Sequence, residues 1–170
     1  SGCDEAAVVV RAGLAVEAVR TIAVPQRGGI KELTAGAVID SLGWHDRTVQ
    51  RHPSGDAAIL ALVGQAADAA AMVEPYATML AELGIGTVVR CTGDLWRGAP
   101  GCSLATSAEL LADSPDLARR VVAAFVRGAR FIDADPDAAA AIAAGYIGVH
   151  ARFIRRALDA NRPHIHAIEN

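Results

Sequence analysis

The stretch Thr21-Ile22-Ala23-Val24-Pro25-Gln26-Arg27-Gly28-Gly29, followed by residues 30–42, decides the fold. Its first five residues are mostly apolar or β-branched, a composition typical of a buried strand. The next four are polar or glycine and predict a loop. Apolar residues then recur at helical spacing up to Leu42, and Gly43 is a helix-ending residue. The stretch therefore predicts a strand, a glycine loop and a helix.

The same unit repeats as far as Cys91. Further strands are predicted at 48–51, 69–73 and 86–91, and helices at 57–67 and 76–83. A β-branched run at 6–10 predicts one more strand. Strands that alternate with helices of about ten residues indicate an α/β fold, with a parallel-rich sheet flanked by helices.

The pattern changes after Cys91. Residues 92–101 contain three glycines and predict a loop, and residues 102–106 predict a strand. Three helices are then predicted, beginning near Pro115, Pro136 and Ala151. Capping residues precede the two prolines, which are suited to the first helical position.

Composition narrows the class of protein. Of the 170 residues, 52% are hydrophobic and 21% are charged, which excludes a disordered chain. The net charge is -3 and the basic residues are spread out, so nucleic-acid binding is disfavoured. No apolar run approaches the roughly 20 residues of a membrane span.

The start of the chain and its cysteines leave alternatives open. The first residues lack the basic and apolar regions of a signal peptide, although Ser1-Gly2-Cys3 matches the end of a lipoprotein cleavage site. The three cysteines are Cys3, Cys91 and Cys102, an odd number that argues against a disulfide framework. Buried thiols are the simplest interpretation, and a Cys91–Cys102 or Cys3–Cys102 bridge is the alternative in an oxidising compartment.

Several motifs, in order, resemble periplasmic solute-binding proteins of the nitrate/sulfonate/taurine and thiamine-precursor type, which serve ABC importers. The motifs are Ile22-Ala23-Val24-Pro25 with its glycine loop, Pro53-Ser54-Gly55-Asp56-Ala57, Val73-Glu74-Pro75-Tyr76, Gly93-Asp94-Leu95-Trp96, Ser114-Pro115-Asp116 and Asp135-Pro136-Asp137. The sequence departs from the family pattern at Val73, where an aromatic residue is common, and at Gln65, where glycine is common.

The resemblance implies a type II periplasmic-binding fold of about twice this length, with the first lobe absent here. It divides the chain into a hinge-crossing strand and linker at 1–20, an α/β ligand-binding lobe at 21–101, and a returning strand with C-terminal helices at 102–170. It implies a small anionic or zwitterionic solute, an ABC permease as partner, and a periplasmic or extracytoplasmic location with a lipid anchor or secretion. Exposed lobe surface favours a homo-oligomer.

In open α/β sheets, ligands bind outside the carboxyl ends of the strands. Helix N-termini there favour an anion or a zwitterion. The expected ligand-binding residues are Gln26, Arg27, Gly28, Gly29, His52, Ser54, Gly55, Glu74, Tyr76 and Trp96. Glu74 either holds a ligand ammonium or caps a helix, and Tyr76 either contacts ligand or packs in the core. Trp44 is expected to pack between a helix and a strand.

Other functions have weaker support. The motifs GxGxxG and GKS/T are absent, so no nucleotide cofactor is expected. His164 and His166 alternate without a third ligand nearby, and Asp133, Asp135 and Asp137 fit helix capping, so no metal is expected. An enzyme of the desulfinase or pyrimidine-synthase kind would need Cys91 or His52, for which no partner residues are visible. The effector domain of a transcription regulator shares the architecture. No catalytic residue is therefore expected.

Overall fold

The computed structural model describes residues 4–25, 27–98 and 101–161. These fall into two units, one ending at Gly101 and one beginning at Cys102. The first unit contains, in order, β1 Ala6–Arg11, β2 Thr21–Pro25, α1 Ile30–Leu42, β3 Thr48–His52, α2 Gly55–Val63, β4 Ala69–Val73, α3 Tyr76–Glu82, β5 Gly86–Cys91 and α4 Thr92–Leu95. A 3₁₀ turn, Val16–Ala18, separates β1 from β2.

Five strands form one sheet in the order β3-β2-β4-β1-β5. β2 is parallel to β3 and β4, whereas β1 is antiparallel to both β4 and β5. Strands β2 to β5 therefore all point the same way and β1 points against them. The predicted α/β class is confirmed, and the three predicted strands β2, β4 and β5 share this sheet.

β1 is an inner strand of the same sheet as β2 to β5, and the predicted division of the chain at residue 21 stays a prediction. Val8 lies opposite Ala71 of β4, and Ala7 lies opposite Cys91 of β5. As an inner strand, β1 satisfies its backbone hydrogen bonds on both sides within this sheet. Whether β1 also crosses a hinge stays a prediction.

Each face of the sheet carries its own core. Val9 and Met72 pack with Leu62 and Leu80 on one face. The other face packs Val8, Val10, Ile22, Val24, Val38 and Trp44. Alternation along β1 follows from the two-residue period of a strand. Trp44 is only 3% exposed, as its predicted packing role requires.

α2 ends at Val63, earlier than the predicted residue 67, and the following turn explains why. Gly64 caps the helix, and Gln65 has a φ of 60°. This left-handed conformation favours glycine, since a Cβ crowds the backbone there. Gln65 is also the position at which the sequence departs from the family pattern.

The second unit is helical, with α5 Ala108–Asp113, α6 Pro115–Ala134, α7 Pro136–Ile147 and α8 Ala151–Ala160. α7 and α8 pack through Ala139, Ala140, Phe153 and Ile154, which are buried. Asp135 Oδ1 accepts a hydrogen bond from Ala138 N–H at 3.0 Å and so caps α7 as expected, and Asp137 forms an ion pair with Arg155 of α8 at 2.8 Å. None of the helices in the described part of the chain is long and apolar enough to cross a membrane.

The predicted strand at 102–106 is wrong. These residues have no regular secondary structure, and all five are exposed. An extended segment becomes a strand only when a neighbouring backbone pairs with it. α5 and the four-residue α4 were not predicted, because both are short and depend on local capping.

Candidate functional site

The loops after β2, β3, β4 and β5 lie on one edge of the sheet, here called the carboxyl edge. Pro25 pairs with His52 at the ends of β2 and β3, which fixes their loops side by side. Ala6, at the start of β1, lies opposite Val73, the last residue of β4. Because the four strands point the same way, residues 27–29, 53–54, 74–75 and 92–96 emerge together, as the sequence predicted.

The glycine loop is tied down by a carboxylate from the helix that follows it. Gly28, with a φ of 82°, donates its N–H to Glu32 Oε2 at 2.6 Å. Glu32 also pairs with Arg51 of β3 at 2.7 Å. The Gly28 hydrogen bond, with Arg51 nearby, lowers the pKa of the Glu32 carboxyl. The Gly28 N–H is therefore used internally, and Gly29 serves as the residue that precedes α1.

Arg27 and Gln26 are the other two predicted residues of this loop. Arg27 is exposed beside the glycines. Gln26 lies outside the described residues, as do Cys3, His164 and His166.

The turn between β3 and α2 contributes a cap and a half-buried histidine. Ser54 Oγ accepts the N–H of Ala57 at 3.1 Å and thereby caps α2. His52 is the last residue of β3, and its Nε2 is buried without a hydrogen-bond partner among the described residues. Ser54 is thus engaged in folding, whereas His52 retains an unused ring nitrogen.

Lys31 was not among the predicted site residues, although it lies at this edge. Its Nζ is 3.2 Å from the point that a Cβ on Gly55 would occupy. Gly55 is the first residue of α2. The ammonium of Lys31 therefore lies at the N-terminus of α2, where backbone N–H groups already create positive potential. Two features of the sequence could have identified Lys31: it lies in the first helical turn after the glycine loop, and it is the only lysine in the chain.

Glu74 caps α3, which is one of its two predicted roles; the other, ligand contact, stays a prediction. Its Oε2 accepts the N–H of Thr78 at 3.1 Å, and its Oε1 accepts the Thr78 hydroxyl at 3.1 Å. Burial raises the pKa of the Glu74 carboxyl, against the lowering effect of both hydrogen bonds from Thr78. Each Glu74 oxygen thus accepts one hydrogen bond from Thr78, and a carboxylate oxygen has a second lone pair.

The two aromatic residues differ in accessibility. Tyr76 begins α3 and is half-buried against the core cluster that contains Met72 and Leu80. Trp96 follows α4 and is 42% exposed. Tyr76 packs partly against the core, whereas Trp96 is more accessible, and ligand contact by either residue stays a prediction. The two stand apart along the edge, because β1 lies between β4 and β5.

Cys91 lies in an acidic pocket at the start of α4. Asp94 Oδ2 accepts the Cys91 N–H at 2.8 Å, and Cys91 Sγ is 3.5 Å from Asp4 Oδ1. Burial above all, together with Asp4, raises the pKa of the thiol to about 11. Such a thiol is protonated at neutral pH, which is the opposite of a catalytic cysteine. Cys91 is a free thiol, so no Cys91–Cys102 bridge is formed.

The geometry thus separates seven of the ten predicted residues into two groups. Gly28, Gly29, His52 and Gly55 lie together at the adjoining ends of β2 and β3, with Lys31 among them. Ser54, Glu74 and Tyr76 are engaged in capping or packing. This arrangement supplies positive potential from Lys31 and from two helix N-termini, which suits an anion.

The comparison that decides the family is a match of residues 4–147 to the model of the NMT1-like family. The chain belongs to the NMT1-like family. No curated protein matches its sequence. The resemblance to sulfonate- and nitrate-binding proteins drawn from the motifs is confirmed by this family and by its structural neighbours.

Solved structures share the fold of this NMT1-like chain at low sequence identity. The alkanesulfonate-binding protein SsuA from Xanthomonas axonopodis pv. citri, bound to MOPS, has a TM-score of 0.76 at 18% identity over 95% of this chain and 56% of that one. The zinc-bound ligand-binding component of an ABC-type import system from Staphylococcus aureus has a TM-score of 0.78 at 16% identity over 99% and 60%. The periplasmic nitrate-binding protein NrtA from Synechocystis PCC 6803 has a TM-score of 0.69 at 15% identity over 84% and 42%. The chain thus spans no more than 60% of each of these three structures.

Proposed function

We propose that this NMT1-like chain is the solute-binding lobe of an ABC importer's binding protein and that it binds a small anion at its carboxyl edge. The observation that carries the proposal is the position of the Lys31 ammonium at the N-terminus of α2, beside Gly55. Lys31 and the N-termini of α1 and α2 together supply the charge that an oxyanion needs.

An anion fits this edge better than a zwitterion. A zwitterion requires a carboxylate for its ammonium, and Glu74 was the residue expected to provide it. Both oxygens of Glu74 accept a hydrogen bond from Thr78, and burial, which raises the pKa of Glu74, disfavours the charged carboxylate that an ammonium would need. Glu32, the carboxylate nearest Lys31 in sequence, is paired with Arg51 and bound to Gly28. Sulfonates and nitrate therefore rank above taurine and thiamine precursors as ligands.

The greater length of the relatives supports a two-lobed binding protein in which this lobe forms one side of the cleft. One solved structure is named as the ligand-binding component of an ABC-type import system and another as an alkanesulfonate-binding protein, and this chain spans only part of each. A second lobe would close over the solute by hinge motion, and the closed form would engage an ABC permease. The periplasmic descriptions of the sulphonate- and nitrate-binding relatives support an extracytoplasmic location.

We infer that the carboxyl edge binds a solute and does not catalyse a reaction. An enzyme would need an activated nucleophile, and the pKa of the Cys91 thiol is raised to about 11 by its burial. At pH 7.5 iodoacetamide should therefore modify Cys91 about 300 times more slowly than a thiol of ordinary pKa near 8.5. Rapid alkylation at Cys91, located by mass spectrometry, would revive the enzyme hypothesis.

The proposal is tested by titrating the chain with methanesulfonate, nitrate and taurine while following backbone amide resonances. One lobe covers only part of a ligand, so dissociation constants near a millimolar are expected. Shifts should be confined to residues 28–31 and 52–56. Lys31→Met should weaken sulfonate binding about tenfold, whereas Arg20→Gln, which removes the same charge at the opposite edge, should not. Equal binding by both variants, or tighter binding of taurine than of methanesulfonate, would contradict an anion site at Lys31.

A further inference from the structure

His52 has a buried ring nitrogen that lacks a hydrogen-bond partner. It is the last residue of β3, and its Nε2 is buried and forms no hydrogen bond to any described residue. Leaving a buried N–H group unpaired costs roughly 1–3 kcal/mol, and such an atom in a folded protein requires an explanation, for example a bound ion. Because His52 lies at the carboxyl edge, where the anion site is proposed, its ring is a candidate for contact with the solute.

The alternation of side chains along β3 places the His52 ring on the face of the sheet that α2 covers. Gln50, two residues earlier, donates its Nε2–H to the carbonyl oxygen of Ala66, just after α2, at 3.2 Å. Arg51 points to the other face and pairs with Glu32 of α1. Gln50 and His52 therefore share the α2 face, and α2 begins three residues after His52.

Lys31 and His52 thus approach the N-terminus of α2 from two different elements. The Lys31 ammonium lies 3.2 Å from where a β-carbon on Gly55 would be, and His52 ends the strand that leads into the same turn. We propose that His52 is a second positive group of the anion site, so that the affinity for a small oxyanion rises as His52 becomes protonated. This inference rests on the proposed function, because it requires that Lys31 and the N-terminus of α2 bind the anion.

The other charged groups around His52 do not produce the same dependence on pH. β2 carries no titratable side chain. Glu32 of α1 keeps its charge in weak acid, since a backbone hydrogen bond lowers the pKa of its carboxyl. Asp56, in the first turn of α2, is exposed, so solvent and salt screen its charge. Arg27 and Arg51 keep their charges, because arginine does not lose its proton in proteins.

Histidine is the side chain whose charge changes between about pH 5 and pH 8. A neutral imidazole donates from one ring nitrogen, whereas the protonated ring donates from both and forms a stronger, charge-assisted hydrogen bond to an anion. Nitrate and sulfonates stay ionised throughout this range, so a change in affinity arises in the protein. We expect the affinity for methanesulfonate to be about tenfold higher at pH 5.5 than at pH 8, which corresponds to about 1.4 kcal/mol.

The test titrates the 170-residue chain with methanesulfonate at pH 5.5 and at pH 8 while following backbone amide resonances. His52→Gln keeps an uncharged N–H donor, so it should match the wild type at pH 8 and lose the gain at pH 5.5. His45→Gln changes an exposed histidine before β3, at the opposite edge, and should keep the gain. Circular dichroism at both pH values establishes that each variant is folded. In the wild type, the ring resonances of His52 should titrate at a higher pH when methanesulfonate is present, because binding and protonation favour each other.

The possible results separate this inference from the proposed function. If the affinity is the same at both pH values, or if His52→Gln keeps the gain, His52 is not part of the site, while weaker binding by Lys31→Met would still support an anion site. A gain that is lost in Glu74→Gln but kept in His52→Gln would assign the dependence to the Glu74 carboxyl, whose pKa is raised by burial. If Lys31→Met binds methanesulfonate as tightly as the wild type, the proposed function fails and this inference fails with it.

Discussion

Lys31 and Gly55 are in contact across the gap between α1 and α2: the lysine Nζ lies 3.2 Å from where a β-carbon on Gly55 would be. The two residues are far apart in sequence and meet because β2 and β3 are parallel neighbours whose following helices start at the same edge. A β-carbon at position 55 would make the ammonium shift by a few tenths of an ångström.

Gly55→Ala should therefore weaken anion binding without unfolding the protein. A methyl group 3.2 Å from Nζ pushes the flexible lysine away from the N-terminus of α2. We expect a two- to fivefold loss of sulfonate affinity, worth roughly 0.4–1 kcal/mol, together with an unchanged or raised Tm because alanine favours helix. Gly36→Ala is the matched control, because nothing lies within 4 Å of its β-carbon position. It should raise the Tm and leave affinity unchanged; parallel losses in both variants would show that Lys31 is not involved.

Glu32→Gln should strengthen anion binding. The change removes a negative charge from the first turn of α1, next to Lys31, and weakens the hold on the Gly28 N–H. We expect a severalfold gain in sulfonate affinity at neutral pH, with a smaller gain at high salt because exposed charges are screened. Asp40→Asn, near the other end of α1, is the control and should change affinity little. A loss of affinity in Glu32→Gln would mean that Glu32 mainly holds the loop in its binding conformation.

The same carboxyl should also confer a pH dependence on stability. The pKa of Glu32 is lowered in the folded state, chiefly by the Gly28 N–H. Its contribution is therefore present above the unfolded pKa and is lost as the pH falls through the lower folded pKa. The Tm advantage of the wild type over Glu32→Gln should shrink when the pH is lowered from 6 to 3. Thermal melts across this range measure it, and a constant difference would contradict the assignment.

Glu74→Gln should show the opposite dependence. Burial raises the pKa of Glu74 in the folded state, so the folded protein favours the protonated carboxyl. Its contribution is then present below the unfolded pKa and is lost as the pH rises through the folded pKa. The Tm of Glu74→Gln relative to the wild type should thus increase between pH 4 and pH 7. Glu109→Gln, at an exposed position on α5, should show no such trend. A trend of the opposite sign would mean that the hydrogen bonds from Thr78 outweigh burial.

Gln65→Gly should stabilise the protein. Gln65 has a φ of 60°, and the left-handed conformation costs a residue with a side chain roughly 1–2 kcal/mol. Glycine removes this cost, but part of the gain is lost because glycine gives the unfolded chain more conformational freedom. We expect a net gain of about 0.5–1 kcal/mol in urea denaturation. Ala66→Gly, at the next residue, should instead lose about 0.5–1 kcal/mol. A destabilised Gln65→Gly would imply that the glutamine side chain makes a compensating contact.

The sequence by itself determined most of the elements and their class. Periodicity placed β2, α1, β4 and β5 at their observed positions, because a buried strand and an amphipathic helix impose different spacings on apolar residues. Caps and prolines placed α6 and α7 in the same way, since Pro115 and Asp135 act within a single turn of chain. Strand-to-helix loops in a parallel-rich sheet were enough to predict that 27–29, 53–54 and 74–75 share an edge.

Only the tertiary structure decided how these elements pair and which side chains meet. The direction of β1 depends on its backbone pairing with β4 and β5, and the failed strand at 102–106 lacks such a neighbour. The partners of the two carboxylates at the carboxyl edge likewise depend on three-dimensional contacts. Glu74 accepts hydrogen bonds from Thr78, whereas Glu32 accepts one from Gly28 and forms an ion pair with Arg51. Lys31 became a site residue because parallel pairing of β2 with β3 brings it to Gly55, a long-range contact that no local pattern encodes.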